Sequence, residues 1–363
     1  MGCSSTKIEE SLKREESNLN IIEYNKAENQ NKEKIINEIS IKNYIFGRYV
    51  GELKYGKMNG KGIFYWKDGN KYIGEFKNDN YEGKGIFYLN NGNIYKGEIK
   101  DGKCNGKGLL YSNDGDIYEG DWKKDIKEGK AIIYYNDGNI YKGEIKNNIK
   151  EGKGIMYYND GEIYEGEFKN DEINGKGIMY YTNGNRFEGE FKDGKINGYG
   201  IYYWKIGHIY DGHFKNNLRE GKGKQFFING TIYDGNFKND IREGEGIYYY
   251  SDNDVYIGNF KNDNKEGKGL LYSNNGNIYE QEYKNGDLNK KGVCYYNNGE
   301  KYEGEFKELQ KDGKGKYYFL NGDRYEGEFK DDQFDGKGIY YYIDGTKENQ
   351  EYKENILISN NSN

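Results

Sequence analysis

Gly2 and Cys3 are the residues of this 363-residue chain whose type and placement most directly prescribe a chemistry. Removal of the initiator Met exposes Gly2 to N-myristoylation, and Ser4, Ser5 and the hydroxyl of Thr6 complete the acceptor pattern. One myristoyl chain holds a bilayer only marginally, with an association constant on the order of 10⁴ per molar, so stable attachment needs a second signal. Palmitoylation of Cys3 supplies one. A polybasic stretch does not, because residues 7–43 mix Lys and Arg with at least as many Glu. Residues 1–7 therefore read as an acylation motif.

Other chemistries lack their parts. No H-E-x-x-H, H-x-x-E-H, G-x-S-x-G or G-x-x-x-x-G-K-[ST] pattern occurs, so zinc hydrolase, serine hydrolase and P-loop readings fall away. Gly-Lys-Gly elements recur, but they open a strand pattern and not a helix whose N-terminus would bind phosphate. The stretch Asn262-Asp263-Asn264-Lys265-Glu266-Gly267 faintly resembles a calcium loop, yet Ser273 stands where the bidentate Glu is required. No catalytic residue, metal site or cofactor is expected, and the chain reads as a non-enzyme. Cys3, Cys104 and Cys294 lie far apart, with no Cys-x-x-Cys pair and no secretory apolar segment, which predicts a reducing, intracellular setting. No apolar run approaches the ~20 residues that span a bilayer. Basic and acidic residues nearly balance, 55 against 61, so no strong field points to nucleic acid.

What holds such a terminus in place is set by composition and period. Only 34% of residues are apolar, yet the chain carries 41 Tyr, 54 Gly and no Pro. That aromatic content excludes simple disorder, and the absence of Pro suits a chain whose every backbone N–H serves a sheet ladder. The motif Y-x-G-x-[FIW] recurs at a constant interval of 23 residues, starting at Tyr49, Tyr72, Tyr95, Tyr118, Tyr141, Tyr164, Phe187, Tyr210, Tyr233, Tyr256, Tyr279, Tyr302 and Tyr325. A Gly-x-Gly pair follows each anchor, as at Gly152 and Gly154, and a turn Gly precedes the next, as at Gly138.

Alternation in Tyr164-Glu165-Gly166-Glu167-Phe168 has period 2 and predicts a strand with Tyr, Gly and Phe on one face. A second strand is expected from the Gly-x-Gly pair through Ile178, Met179, Tyr180 and Tyr181, with the polar Lys169–Asn174 stretch between them. Each repeat is thus one hairpin. The recurring glycines leave room for a ring or require φ > 0. Both the anchor and the Tyr sixteen residues after it are expected to lie across them. A lone hairpin is marginal in water, so stability must come from stacking unit on unit. Thirteen hairpins give about 26 strands, roughly 125 Å at ~4.8 Å per strand. With about 20° of twist per strand, the sheet would rotate through more than one turn. The predicted fold is an all-β repeat protein: an elongated, twisted, single-layer antiparallel sheet of stacked 23-residue β-hairpins behind a short helical or disordered N-terminal segment.

These residues resemble the MORN repeat (membrane occupation and recognition nexus) over residues 49–347. The resemblance implies non-catalytic assembly modules in membrane-apposed, cytoskeletal and ciliary structures, some dimerising through repeat ends and some attached to lipid kinase or methyltransferase domains. This chain departs from the pattern at Ala131, Lys290, Gln281 and Asn253. Two losses fall between Tyr279 and Lys291, so that unit is expected to be irregular. His208 and His213 sit at phases that hold Asn, Asp, Glu or Lys in other repeats and read as exposed substitutions.

The domain plan is then 1–7 acylation motif, 8–43 charged spacer, 44–347 thirteen repeats, and 348–363 a degraded capping strand with a loose tail from Ser359. The spacer reads equally as weak helices or as a disordered linker. The second strand carries apolar or aromatic residues on both faces, as in Ile247, Tyr248, Tyr249 and Tyr250, which leaves one face as an aromatic strip. The expected role is a scaffold tethered by acyl chains to the cytoplasmic face of a plasma, ciliary or cortical membrane, with protein partners, homodimerisation as the resemblance implies, and no nucleic acid. The alternative is direct phospholipid binding by the repeats, or regulation of a phosphoinositide kinase in trans. Against it, residues one and three after each anchor are mostly acidic.

Overall fold

The computed structural model describes residues 39–362. Among them are 29 strands and no helix, and the strands follow one another as antiparallel hairpins. The chain divides into two compact units, one running to Asn90 and including Ile99–Gly102, the other comprising Asn91–Glu98 and Lys103 onward.

In the first unit β1 (Ile39–Tyr44), β2 (Gly47–Lys54), β3 (Lys57–Trp66), β4 (Lys71–Lys77) and β5 (Asn80–Tyr88) pair in chain order. The second unit repeats one plan. An anchor strand runs from one residue before the anchor to five after it, as in Ile163–Lys169, and a nine-residue return strand follows, as in Glu172–Tyr180. Each return strand pairs with its own anchor strand and with the next, so Tyr180 faces both Ile163 and Arg186.

Two turns close each unit. Lys169 pairs with Glu172 across Asn170 (φ 51°) and Asp171 (φ 68°), a two-residue turn with both central residues left-handed. This is the hairpin connection whose twist matches that of the strands, and Asn and Asp tolerate it best. The polar stretch expected as a connection therefore shrinks to two residues, and Glu172–Asn174 belong to the strand. The second turn, after Tyr158, is closed by Gly161 N–H donating to the Tyr158 carbonyl (3.0 Å), with Gly161 at φ 96°.

A register shift falls inside the hairpin, between Gly166 and Phe168, and none is found where the return strand meets the next anchor strand. Gly175, at φ 100°, lies on the strand facing this shift. That is the physical need behind the first Gly of each Gly-x-Gly pair.

Three boundaries differ from expectation. Ile39–Asn43, assigned to the spacer, begin β1, because they offer β2 an alternating partner with six registered pairs. At the other end there are two strands, Lys347–Lys353 and Ile356–Ser362, so Ser359–Ser362 are not a loose tail. Glu354 and Asn355 form the same left-handed two-residue turn as the repeats, and Asn355 preserves the turn's bond to the preceding unit. The remaining spacer residues 8–38 and the acylation motif, with Gly2 and Cys3, lie outside the described residues.

Candidate interaction surface

Within each unit the anchors line one face of the sheet, and each of the thirteen is at most 8% exposed. Their rings cover the glycines: a Cβ built on Gly177 would lie 2.5 Å from the Tyr164 hydroxyl oxygen, and the same crowding meets Gly154 under Tyr141. In most repeats the hydroxyl then turns to the carbonyl of the residue three places on, at 3.0 Å for Tyr164 to Glu167, 2.9 Å for Tyr141 to Glu144 and 2.9 Å for Tyr302 to Glu305, while those of Tyr256 and Tyr325 are buried without a partner. That carbonyl belongs to the residue at the register shift, so the Tyr hydroxyl supplies a donor where the ladder is interrupted. Burial pushes these phenols up, to about 12 for Tyr233 and Tyr325.

Between units the rings meet edge to face. Tyr164 contacts Phe168 of its own repeat at 5.3 Å and Phe191 of the next at 5.1 Å, and Tyr210 contacts Phe214 at 5.1 Å and Phe237 at 5.0 Å. The aromatic herringbone couples neighbours, as hairpins too small to be stable alone require.

The residue nine places after the anchor joins this face, and here sequence reasoning missed a feature. Several repeats carry a cation there among the rings. Arg219 lies 5.5 Å from the Tyr210 ring and 4.9 Å from Phe237 and pairs with Asp240 at 3.1 Å. Lys265 sits 4.2 Å from Tyr256 and 4.9 Å from Tyr283, but Gly286 occupies the turn position that is Asp240 for Arg219. Burial lowers its ammonium to about 8, against the attraction of the ring faces. The signal in the sequence is a Lys or Arg at a phase that holds Met58 or Ile173 elsewhere.

Both edges are laced between repeats. Lys150 N–H donates to Asp171 Oδ1 at 2.7 Å, and Asp171 N–H returns to the Lys150 carbonyl at 3.1 Å. Lys311 with Asp332 repeats the clasp at 2.8 and 3.0 Å. On the other edge Asn159 N–H donates to Asn139 Oδ1 at 2.8 Å and its side-chain amide to the Asp137 carbonyl at 2.7 Å. His208 takes this place in its repeat: Nδ1 accepts from Ile228 N–H at 3.1 Å, so the imidazole is a half-buried turn brace, where an exposed substitution was expected. His213, exposed, has Nδ1 3.2 Å from the Lys222 carbonyl.

The eleventh repeat breaks the pattern as its losses foretold. Gln281, 3% exposed, fills the space of the missing Gly, and its Nε2 is buried without a hydrogen-bond partner. The pair at Lys290 is lost, and in the twelfth repeat, which follows, Leu309, left-handed at φ 70° beside Glu308 at 51°, stands where other turns carry Asp, Asn or Gly.

The Tyr sixteen residues after each anchor does not lie across the glycines. It projects to the opposite face, because it lies three places, an odd step, after the second Gly of the pair and side chains alternate along a strand. There it pairs with the residue before each anchor: Ile232, Tyr249, Val255, Tyr272, Ile278, Tyr295 and Lys301 form one row across seven strands. Tyr249, Tyr272 and Tyr295 are 36, 39 and 43% exposed. The strip expected from the sequence is present on this face. Among the described residues no group of His, Cys, Asp or Glu could hold a metal ion, and no helix is long and apolar enough to cross a membrane.

The MORN repeat profile matches twelve consecutive or near-consecutive segments, 49–278 in ten units and 302–347 in two, omitting only 279–301. The chain belongs to the MORN-repeat family. The omitted segment is the repeat with Gln281 and Lys290; it still forms a hairpin, so thirteen are present in the MORN array. No curated protein matches the chain. Among solved structures it is similar to the TCP domain of SAS-4 from Drosophila melanogaster in complex with a proline-rich motif of Ana2, at 13% identity and TM-score 0.30, covering 49% of this chain and 90% of that one. The TCP10 domain of CPAP from Danio rerio with a STIL peptide gives 12% identity and TM-score 0.27, over 75% and 99%. These superpositions are too loose to bear on what the MORN array binds.

Proposed function

We propose that this MORN protein is a non-catalytic scaffold held on the cytoplasmic face of a membrane by acyl chains on Gly2 and Cys3. The observation that carries the scaffold reading is the division of labour between faces. Every anchor is consumed by the fold, while the opposite face of the second unit leaves Tyr249, Tyr272 and Tyr295 half open in one row. A continuous exposed aromatic strip is a mark of protein-binding surfaces. The tether rests on the acceptor pattern of residues 1–6 and on the need for two acyl signals.

The test is fractionation of a tagged full-length protein beside Gly2→Ala and Cys3→Ser. Wild type is expected with membranes, Gly2→Ala in the soluble fraction, and Cys3→Ser shifted toward it. Membrane retention of Gly2→Ala would refute the tether and favour direct lipid binding by the repeats.

A further inference from the structure

We propose that the row containing Tyr249, Tyr272 and Tyr295 is a docking track for a basic polyproline II segment of a partner protein, lying across the strands. The proposal rests on the scaffold reading and names the chemistry of its partner.

Spacing selects the ligand. The three tyrosines occupy alternate strands in exact cross-strand register through Val255 and Ile278. Two strand spacings come to ~9.6 Å. A polyproline II helix repeats one face every three residues, or ~9.3 Å, so each turn presents a Pro ring to successive tyrosines with little accumulated error. An extended strand laid the same way repeats every ~6.8 Å, and an α-helix presents one face every turn of ~5.4 Å, two turns of which, ~10.8 Å, overshoot each tyrosine spacing by about 1 Å. The aliphatic residues between the tyrosines form the floor on which the intervening ring edges rest. Because such a segment is already extended and ordered in solution, little conformational entropy is lost on docking.

Charge completes the choice. The adjoining row on the same face runs Asp234, Ile247, Ile257, Leu270, Glu280, Val293 and Glu303. Ile257 is 40% exposed and widens the apolar track. Asp234 and Glu303, at its ends, are paired with Lys224 at 2.9 Å and Lys301 at 2.6 Å. Glu280, between Leu270 and Val293, has no ion pair among the described residues. A Lys or Arg on the second face of the helix would meet that carboxylate. The acidic flank opposes an anionic lipid surface or a nucleic acid on the same row.

The experiment measures fluorescence anisotropy of labelled peptides with the full chain at near-physiological salt. The probes are Pro-Pro-Lys repeats of about twelve residues, long enough to span the three tyrosines, with Pro-Pro-Glu and Gly-Ser-Lys repeats of equal length. Pro-Pro-Lys is expected to bind about tenfold more tightly than either control, Tyr272→Ser to lose about tenfold, and Glu280→Lys to reverse the preference toward Pro-Pro-Glu. Circular dichroism and thermal unfolding confirm that each variant is folded, and Glu280→Lys, at a half-buried position outside the anchor face, serves if Tyr272→Ser unfolds. Equal binding of Gly-Ser-Lys and Pro-Pro-Lys overturns the track, as does unchanged affinity in folded Tyr272→Ser. Tyr272-dependent binding to phosphatidylserine vesicles in place of the peptides would also overturn it. If no peptide binds while wild type remains on membranes in a Gly2-dependent manner, the track falls and the tether stands. Peptide binding with membrane retention in Gly2→Ala gives the reverse.

Discussion

The Tyr164 hydroxyl donates to the Glu167 carbonyl at 3.0 Å, three residues along the same strand, from a ring that lies over Gly166 and Gly177. One side chain thus fills the space over two missing Cβ atoms and satisfies the backbone at the register shift. Tyr164→Phe keeps the packing and loses one hydrogen bond, an expected cost of about 1 kcal/mol, and Phe187 shows that the chain tolerates it. Gly166→Ala must displace the buried ring and is expected to cost more, on the order of 2–3 kcal/mol. Urea unfolding of the three proteins gives the order wild type, Phe, Ala; equal midpoints for the two variants would contradict the packing argument.

The eleventh repeat should open first. Gln281 buries an unpartnered amide, and the pairing around Lys290 is shortened. Hydrogen exchange is expected to be fastest, among the repeats away from the ends, in residues 279–301. Gln281→Gly removes the buried amide and restores room for Tyr279, with an expected gain of about 1 kcal/mol after the cost of a strand Gly. Slower exchange in the variant's 279–301 segment would be the evidence; faster exchange would refute it.

Turn chemistry gives a paired prediction. Asp171→Ala removes the acceptor for Lys150 N–H and places Ala at a left-handed position, so a loss of about 1–2 kcal/mol is expected. Leu309→Asp puts a residue suited to φ 70° where a branched apolar one now sits, and thermal unfolding is expected to rise. A lower midpoint for Leu309→Asp would show that the turn is held by something other than its own residues.

Alkaline titration reports on the buried face. Burial raises the anchor phenols above the ordinary 10.0, to about 12 for Tyr233 and Tyr325, and raises the thiols of Cys104 to about 12 and Cys294 to about 11. The folded state therefore holds these protons more tightly than the unfolded state. That contribution is intact below the ordinary values of 9.0 for a thiol and 10.0 for a phenol, and is lost as pH rises through about 11–12. Absorbance of the anchor tyrosinates should rise in one cooperative step with unfolding. Both thiols should resist alkylation at neutral pH until denaturant is added; rapid native-state alkylation of Cys294 would contradict its burial.

The hairpins, their period and the faces of the anchors were legible because each depends on alternation and on glycine phase, which are local. The connection at Asn170 and Asp171 was readable too, since paired Asn, Asp and Gly residues recur there in nearly every unit, but the polar run around it obscured the turn. The Tyr180 class was assigned to the wrong face because residue type drew attention before parity: counted from Gly177, it falls on the other side of the pleat. The ring-enclosed cations, such as Arg219 beside Tyr210 and Phe237, were hidden for a different reason. Their contacts join three successive elements, and no single-strand pattern reports them. Gly2 and Cys3 remain readable only as an acceptor motif.

The clasp of Lys150 by Asp171 runs one way: wherever the turn carries Asp or Asn, a later loop closes an earlier amide, down to Phe334, which Asn355 closes at 2.7 Å. A nascent chain leaving the ribosome therefore finishes each such hairpin only after about one more unit has emerged, and that hairpin spends the interval ajar. The hairpin Lys347–Ser362, stripped of the anchor motif yet retaining Asn355, closes the thirteenth repeat in the same way, so that repeat too is completed only from outside itself.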